Sequence, residues 1–315
     1  MTILITGGAG FIGSNLVDRL LSQGYYVSIL DNFDNYYSKK IKIKNIRHNV
    51  NNKNFKLIKG DIRNKKLLKD ILKDVDVVFH VAARPGVRSS VNDLSLYHDI
   101  NTTGTFHLLS ECLNSNARKI VFSSSSSVYG EFEYLPIDEK HPANPISLYG
   151  ATKLAGEKYC HVFSKVYGLN IIALRYFTVF GPRQRPDEAI CKFTKLLLER
   201  KRPEIYGDGE QTRDFTYIDN VVDGNMLAMN SKIKWEVFNI GAGQRISVNE
   251  LVDQLNEACQ TKIKPIYSSN KEGDVRHTWA NIDKACKLLN YKPKVDIRFG
   301  IKKYVEWAVA EYGRK

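Results

Sequence analysis

The chain has 315 residues, 43% of them hydrophobic and 26% charged, and a formal net charge of +13 at pH 7. That length allows two domains, or one domain with an elaborate second lobe. No apolar run approaches the roughly 18 residues of a membrane span, and no secretory apolar segment is expected before the first strand. The five cysteines, Cys112, Cys160, Cys191, Cys259 and Cys286, are odd in number and form no C-x-x-C, which suits a reducing cytoplasm. The seven histidines show no metal-ligand spacing, so no catalytic metal is expected. The positive charge is local: Lys39 to Lys69 holds 12 lysines and arginines against one acid, Asp61. Without interleaved aromatics, this stretch reads as a solvated helix face and not as a nucleic-acid site.

Thr2-Ile3-Leu4-Ile5-Thr6 reads as the first strand, and Gly7-Gly8-Ala9-Gly10-Phe11-Ile12-Gly13 follows it directly. Ile12, Leu16, Val17, Leu20 and Leu21 then recur at helical spacing. A glycine-rich turn between a strand and a helix is the setting of a dinucleotide site. There Gly7 permits the tight turn, Gly10 lets the backbone approach a pyrophosphate at the helix N-terminus, and Gly13 allows close helix-strand packing. The second strand, Tyr26 to Leu30, ends in Asp31, whose carboxylate suits the ribose hydroxyls of NAD and would repel the 2′-phosphate of NADP.

A basic helical segment comes next, then a strand over Phe55 to Asp61 and a helix over Leu67 to Leu72. A buried strand over Val75 to Ala83 precedes a long helix carrying Tyr97, Ile100, Thr105, Leu108, Leu109 and Leu113, and Lys119 to Ser123 is another strand. Strands separated by helices predict an α/β fold with a doubly wound parallel sheet, its ligand outside the carboxyl ends of the strands. Tyr149 and Lys153 are four residues apart, which on a helix puts both on one face. A lysine ammonium near the phenol, with a cationic nicotinamide close by, is expected to lower the tyrosine pKa from about 10 toward working pH and make Tyr149 a general base.

Further motifs accompany these: Asp31-Asn32, Gly60-Asp61-Ile62-Arg63, His80-Val81-Ala82-Ala83, Asn101-Thr102-Thr103-Gly104, and Ser123 to Ser127 running into Val128-Tyr129-Gly130. Arg175-Tyr176-Phe177, Gly207-Asp208-Gly209, Arg213-Asp214-Phe215 and Gly273-Asp274-Val275-Arg276 follow. Over essentially the whole chain the sequence resembles the extended short-chain dehydrogenase/reductase family, in particular its nucleotide-sugar epimerases and dehydratases. The resemblance implies a Rossmann-type NAD-binding domain over residues 1–177, with a return segment near 214–261, and a smaller C-terminal substrate-binding lobe from 178–213 and 262–315. It implies that NAD is held by Gly7, Gly10, Phe11, Ile12, Gly13, Asp31, Asn32, Asn35, Asp61, Ile62, Ala82, Ala83, Asn101, Ser123, Tyr149, Lys153 and Tyr176, and that Ser125 joins Tyr149 and Lys153 in catalysis. By residue type alone, Asp61 could instead cap the next helix and Asn101 could only pin a backbone.

Arg213 and Arg276 match the arginines that grip a nucleotide diphosphate in this family, so the implied ligand is a UDP-sugar, with Arg88, Tyr206 and Asp274 as further contacts. Pro85-Gly86-Val87-Arg88, the serine run, Thr178 and the loop Arg183-Gln184-Arg185-Pro186-Asp187 resemble the UDP-glucuronate 4-epimerase branch. The short hydroxyls of Ser126, Ser127 and Thr178, with the cation Arg185, are what a sugar carboxylate needs. Arg185 could instead salt-bridge Asp187 or Glu188. The implied reaction inverts C4 of UDP-glucuronate through a 4-keto sugar. A neutral UDP-hexose 4-epimerase, a UDP-glucuronate decarboxylase and an NAD-sensing regulator are the alternatives. The family also implies a homodimer through Asn101 to Leu113 and Tyr149 to Phe163. Asn281 stands where the family carries aspartate, at an expected helix start that Asn caps nearly as well.

Overall fold

The protein is described by a computed structural model covering residues 1–269 and 275–313. Its strands are β1 (Thr2–Thr6), β2 (Tyr26–Asp31), β3 (Phe55–Lys59), β4 (Val77–His80), β5 (Lys119–Ser125), β6 (Ile171–Tyr176) and β7 (Thr178–Phe180). The later ones are β8 (Glu204–Tyr206), β9 (Thr212–Arg213), β10 (Phe215–Tyr217), β11 (Trp235–Ile240), β12 (Ile246–Ser247) and β13 (Ile266–Ser268). The helices are α1 (Phe11–Ser22), α2 (Lys39–Ile46), α3 (Lys65–Ile71), α4 (Leu94–Tyr97), α5 (Gly104–Cys112), α6 (Leu148–Tyr167) and α7 (Ala189–Leu198). They continue with α8 (Ile218–Asn230), α9 (Val248–Cys259), α10 (Asp283–Leu289) and α11 (Ile297–Tyr312).

Seven strands form one parallel sheet in the order β11-β6-β5-β4-β1-β2-β3. The chain winds from β1 to β3 in one direction and from β4 to β11 in the other, so the order reverses between β1 and β4, where a crevice opens beyond the strand ends. Alternate side chains divide between two cores. Ile3, Ile5, Ile29, Phe79, Val121 and Ile172 pack on one face, and Leu4, Leu30, Val78, Ile120 and Phe122 on the other. Both faces are covered, which is why these strands read as continuous apolar runs.

The first core continues through α7 and α9 into α11, where Tyr304 and Val305 are buried. Elements after Tyr176 are therefore packed onto the sheet and are not hung from it. Asp214 ties them further: its carboxylate accepts from the Ala242, Gly243 and Ala280 amides at 2.8, 3.1 and 3.2 Å and from the Thr216 hydroxyl at 3.1 Å. β7 pairs with β10, and β11 returns to the sheet edge beside β6.

Two details differ from the sequence expectation. The long helix after β4 is α4 and α5 joined by a π-helical segment, His98–Thr103, in which Ile100, Asn101 and Thr102 are buried. Asn281 does not cap α10; Ile282 occupies that position, and the Asn281 side chain accepts from the Asp283 amide at 2.9 Å. Among the described residues no helix is long and apolar enough to cross a membrane.

Candidate active site

The crevice at the β1/β4 reversal is walled by Gly7, Gly10, Phe11, Ile12 and Gly13 from the first turn, Asp31 and Asn32 from the end of β2, and Asp61 and Ile62 after β3. Ala82, Ala83, Ser123, Tyr149, Lys153, Tyr176 and Arg185 complete it on the other side. A Cβ on Gly13 would lie 2.3 Å from the Gly7 carbonyl oxygen, so only glycine lets α1 start this close to the turn. A Cβ on Gly10 would stand 3.2 Å from the same oxygen and 3.9 Å from the Tyr37 hydroxyl, filling crevice space more than it displaces protein. Such a turn, opening onto helix-N-terminal amides, is a cradle for a pyrophosphate.

Asp31 is buried and accepts from the Phe33 and Ala9 amides at 2.8 and 3.1 Å. Burial pushes its pKa up, and the Lys42 ammonium is the foremost influence pulling it back. Asp61 accepts from Asn32 Nδ2 at 2.8 Å and from Arg63 Nε and Nη2 at 2.9 and 2.8 Å, and these bonds hold its pKa down to about 2. It does not cap α3: Asn64 does, accepting from the Leu67 amide at 3.1 Å. Asn101 is buried and lies off the crevice wall. It donates to the Arg84 carbonyl and the Thr152 hydroxyl, both at 3.0 Å, and accepts from the Arg84 amide at 2.7 Å, pinning the loop after β4 to α6. Asn35 is exposed and also outside the wall.

The wall also holds residues the sequence does not single out, among them Tyr36, Tyr37, Lys42 and Arg84. Lys42 is one of many cations in the basic stretch, and nothing in its spacing distinguishes it, yet it is buried beside Asp31. The buried Tyr37 hydroxyl has no hydrogen-bond partner among the described residues. An unpaired hydroxyl, a carboxylate and a glycine cradle along one wall fit a polar dinucleotide.

At the end of β5 the chemistry converges. The α6 helix begins at the Ser147 cap, whose hydroxyl accepts from the Gly150 amide at 3.1 Å. A Cβ on Gly150 would lie 2.3 Å from the Ser127 carbonyl oxygen, so this glycine lets α6 lie against the serine turn. Lys153, 4% exposed, donates to the Ser123 carbonyl at 2.7 Å, and burial pushes its pKa down to about 8. Burial pushes the Tyr149 phenol up, and the foremost influences against this are the Arg185 guanidinium and a hydrogen bond with Ser125. Arg185 is thus a second cation acting on the phenol, and the Lys153 ammonium is directed at the Ser123 carbonyl. Below this layer Ser124 donates to Glu157 at 2.5 Å, Glu157 pairs with Arg175 at 2.7 and 2.9 Å, and Arg175 lies 4.6 Å over the Tyr129 ring. The Tyr176 hydroxyl donates to Asn225 at 2.8 Å and meets Ser123 Oγ at 3.1 Å.

Ser125 opposes Tyr176 in the sheet, which brings Thr178, two residues further on, to the same end as Ser126 and Ser127. Ser125 accepts from the Ser127 amide and donates to the Ser127 hydroxyl, both at 3.1 Å. Arg185 lines the crevice and pairs with Asp187 at 3.0 Å and with Glu188. Arg88 lies 5.1 Å over the Tyr206 ring, joining the loop after β4 to the lobe. Arg213 donates to the Arg276 carbonyl at 3.0 Å, and Arg276 pairs with Asp208 at 2.8 Å. His277, bonded to the Thr212 hydroxyl at 2.9 Å, has its pKa lowered by burial and then by Arg245, Arg276 and Arg213, so a field of three guanidinium groups lies here. Arg245 carries no motif that announces it. Asp274 lies outside the described residues. No three His, Cys, Asp or Glu side chains among the described residues converge as metal ligands.

A glycine-rich turn, an acidic residue at the end of β2 and a Ser-Tyr-Lys set on a parallel sheet are the features of a nucleotide-dependent dehydrogenase-like site. The chain belongs to the NAD dependent epimerase/dehydratase family, whose profile matches residues 3–241. It is 38% identical over 313 residues to a UDP-glucuronate 4-epimerase of Thermodesulfobacterium geofontis, covering 97% of this chain and 95% of that one. Among solved structures, the UDP-glucuronic acid 4-epimerase of Bacillus cereus in complex with UDP-glucuronic acid and NAD superposes with a TM-score of 0.94 at 40% identity, covering 99% of this chain and 100% of that one. The UDP-glucose 4-epimerase of Thermotoga maritima with UDP-glucose gives 0.92 at 36% identity, with 99% of each chain covered.

Proposed function

We propose that this protein is an NAD-dependent isomerase that inverts C4 of a UDP-sugar, interconverting UDP-glucuronate and UDP-galacturonate. The observation that carries the reading is Tyr149 and Lys153 on the crevice wall, with Ser125 hydrogen-bonded to the phenol and Ser126, Ser127 and Thr178 at the same end of the sheet. When bound, NAD supplies a temporary acceptor for the C4 hydride and a cationic ring that favours the Tyr149 phenolate. Tyr149 takes the proton of the C4 hydroxyl and returns it after the 4-keto sugar has turned over. Ser125 holds the same oxygen by a hydrogen bond, and Lys153 keeps α6 fixed to β5.

A 4-keto-glucuronate is a β-keto acid, which loses CO₂ when its carboxylate lines up with the carbonyl π system. Ser126, Ser127 and Thr178 hold the carboxylate out of that alignment and so keep the reaction an epimerisation. Arg185, caged by Asp187 and Glu188, supplies a fixed positive field at the sugar. The segments 178–213 and 262–315 form the lobe over the sugar nucleotide, with Arg88, Tyr206, Arg213 and Arg276 on the uridine diphosphate. Exposed Phe106, Leu113, Val162, Val166 and Tyr167 on and beside α5 and α6 support a homodimer through these helices. The five free cysteines support a cytoplasmic enzyme.

One observation favours a second reading, a neutral UDP-hexose 4-epimerase: Arg185 already has two carboxylate partners. Incubation with UDP-glucuronate, followed by NMR, separates the two. UDP-galacturonate is expected. A UDP-pentose as main product contradicts the reading, and turnover of UDP-glucose alone replaces it with the second.

A further inference from the structure

We propose that Tyr36 is a positioning residue that clamps the Arg185 guanidinium beside the Tyr149 phenol by joining three loops at the crevice mouth. The inference deepens the epimerase reading and rests on it for the role of Tyr149.

Tyr36 stands between β2 and α2, and its ring meets two cations: Arg84 lies 5.1 Å over it and Arg185 5.5 Å. Arg84 belongs to the loop after β4, and Arg185 to the lobe loop before α7. The Tyr36 hydroxyl donates to Asp187 at 3.2 Å and meets Ser89 Oγ at 3.0 Å, and Ser89 in turn meets the Tyr97 hydroxyl at 2.7 Å. Each guanidinium has its own acid cage, Arg84 with Asp34 and Asp93, Arg185 with Asp187 and Glu188. Tyr36 therefore fixes Arg185 twice, through the ring face and through the acid that the guanidinium grips. A guanidinium prefers to lie over an aromatic face, and the ring limits where it can go.

Without Tyr36, the pairs with Asp187 and Glu188 persist, but the ring contact and the hydroxyl bond that tie the lobe loop to the β2–α2 loop are lost. The groups that act electrostatically on the Tyr149 phenol are Arg185 and Glu188 from the lobe loop, Tyr97 from α4 and Ser125 from β5, with Lys153 a turn away on its own helix. Of these, Arg185 is the foremost in favouring the phenolate, so its displacement raises the Tyr149 pKa. The Tyr36→Phe change keeps the ring under both cations and removes only the hydroxyl bonds, so it separates the two parts of the clamp.

The test is a ¹³Cζ-tyrosine NMR titration of the full chain loaded with NAD, with the Tyr149 signal assigned by Tyr149→Phe. Tyr36→Ala is expected to raise the Tyr149 pKa by about one unit, a tenfold smaller phenolate fraction at fixed pH, and Tyr36→Phe by less. The acid limb of kcat should move with it. In an Arg185→Gln background, the Tyr36→Ala shift should vanish. An unmoved titration in Tyr36→Ala, or a shift that adds fully to that of Arg185→Gln, overturns the proposal. Where Tyr36→Ala does not fold, Tyr36→Phe alone and with Arg185→Gln decides by the same readings. The titration needs no turnover, so its failure is distinct from failure of the epimerase reading, which the product spectrum decides.

Discussion

The Lys153 ammonium donates to the Ser123 carbonyl at 2.7 Å and ties α6 to the end of β5. Lys153→Met should lower kcat by about 10²-fold or more, since it removes a charge and misplaces the helix that carries the base. The bond also has a pH signature. Burial takes the Lys153 pKa from 10.5 to about 8, so between those values the folded chain binds fewer protons than the unfolded one and stability rises with pH. Below pH 8 the destabilisation is present in full. Urea unfolding of wild type should therefore give a larger gain from pH 7.5 to pH 10 than Lys153→Met gives. Lys119, also pushed down to about 8, contributes to both proteins and cancels in the comparison. Equal gains would contradict the assignment.

Glu157, four residues after Lys153, is buried and bridges Ser124 and Arg175. Glu157→Gln leaves the Arg175 guanidinium buried without its counter-charge and should cost about 3–5 kcal/mol. Removing Arg175 as well should recover part of that loss. Denaturant titration of the single and double variants checks this, and a single-variant loss below about 1 kcal/mol would show that the pair is not the anchor described.

Gly10 and Gly13 separate fold from cofactor. Gly13→Ala forces a Cβ against the Gly7 carbonyl and should lower the melting temperature. Gly10→Ala meets protein atoms only at 3.2 Å, so the melt should stay near wild type while NAD affinity falls about tenfold or more, the added methyl standing where the backbone must approach a pyrophosphate. Calorimetric NAD titration beside thermal melts gives both readings. Undiminished NAD binding in Gly10→Ala would move the pyrophosphate elsewhere.

Thr178→Val removes one of the hydroxyls assigned to the sugar carboxylate and preserves shape. It should raise KM for UDP-glucuronate and let a decarboxylated UDP-pentose appear among the products. NMR product ratios measure this, and an unchanged ratio with unchanged KM would remove Thr178 from carboxylate binding.

The parts of this fold legible in the sequence are those set by local spacing. The Gly7 to Gly13 turn announces itself because its glycines are required one by one, and Tyr149 and Lys153 because four residues make one helical turn. The two cores follow from strict alternation in Ile3-Leu4-Ile5. Contacts between distant loops leave no such trace. Tyr36, Arg84 and Arg185 come from segments far apart in the chain, and Lys42 is one cation among many until burial sets it beside Asp31. Asn101 is carried by a π-helical segment whose apolar pattern imitates an ordinary helix, so its backbone-pinning geometry appears only in three dimensions.

The central claim is that the hydrogen on C4 leaves the sugar and returns to the same carbon on its other face. UDP-glucuronate deuterated at C4, incubated with the NAD-loaded protein in ordinary water, tests it directly. The account predicts UDP-galacturonate that keeps its deuterium at C4, and loss of all product in Tyr149→Phe. Deuterium exchanged into water during inversion would contradict it.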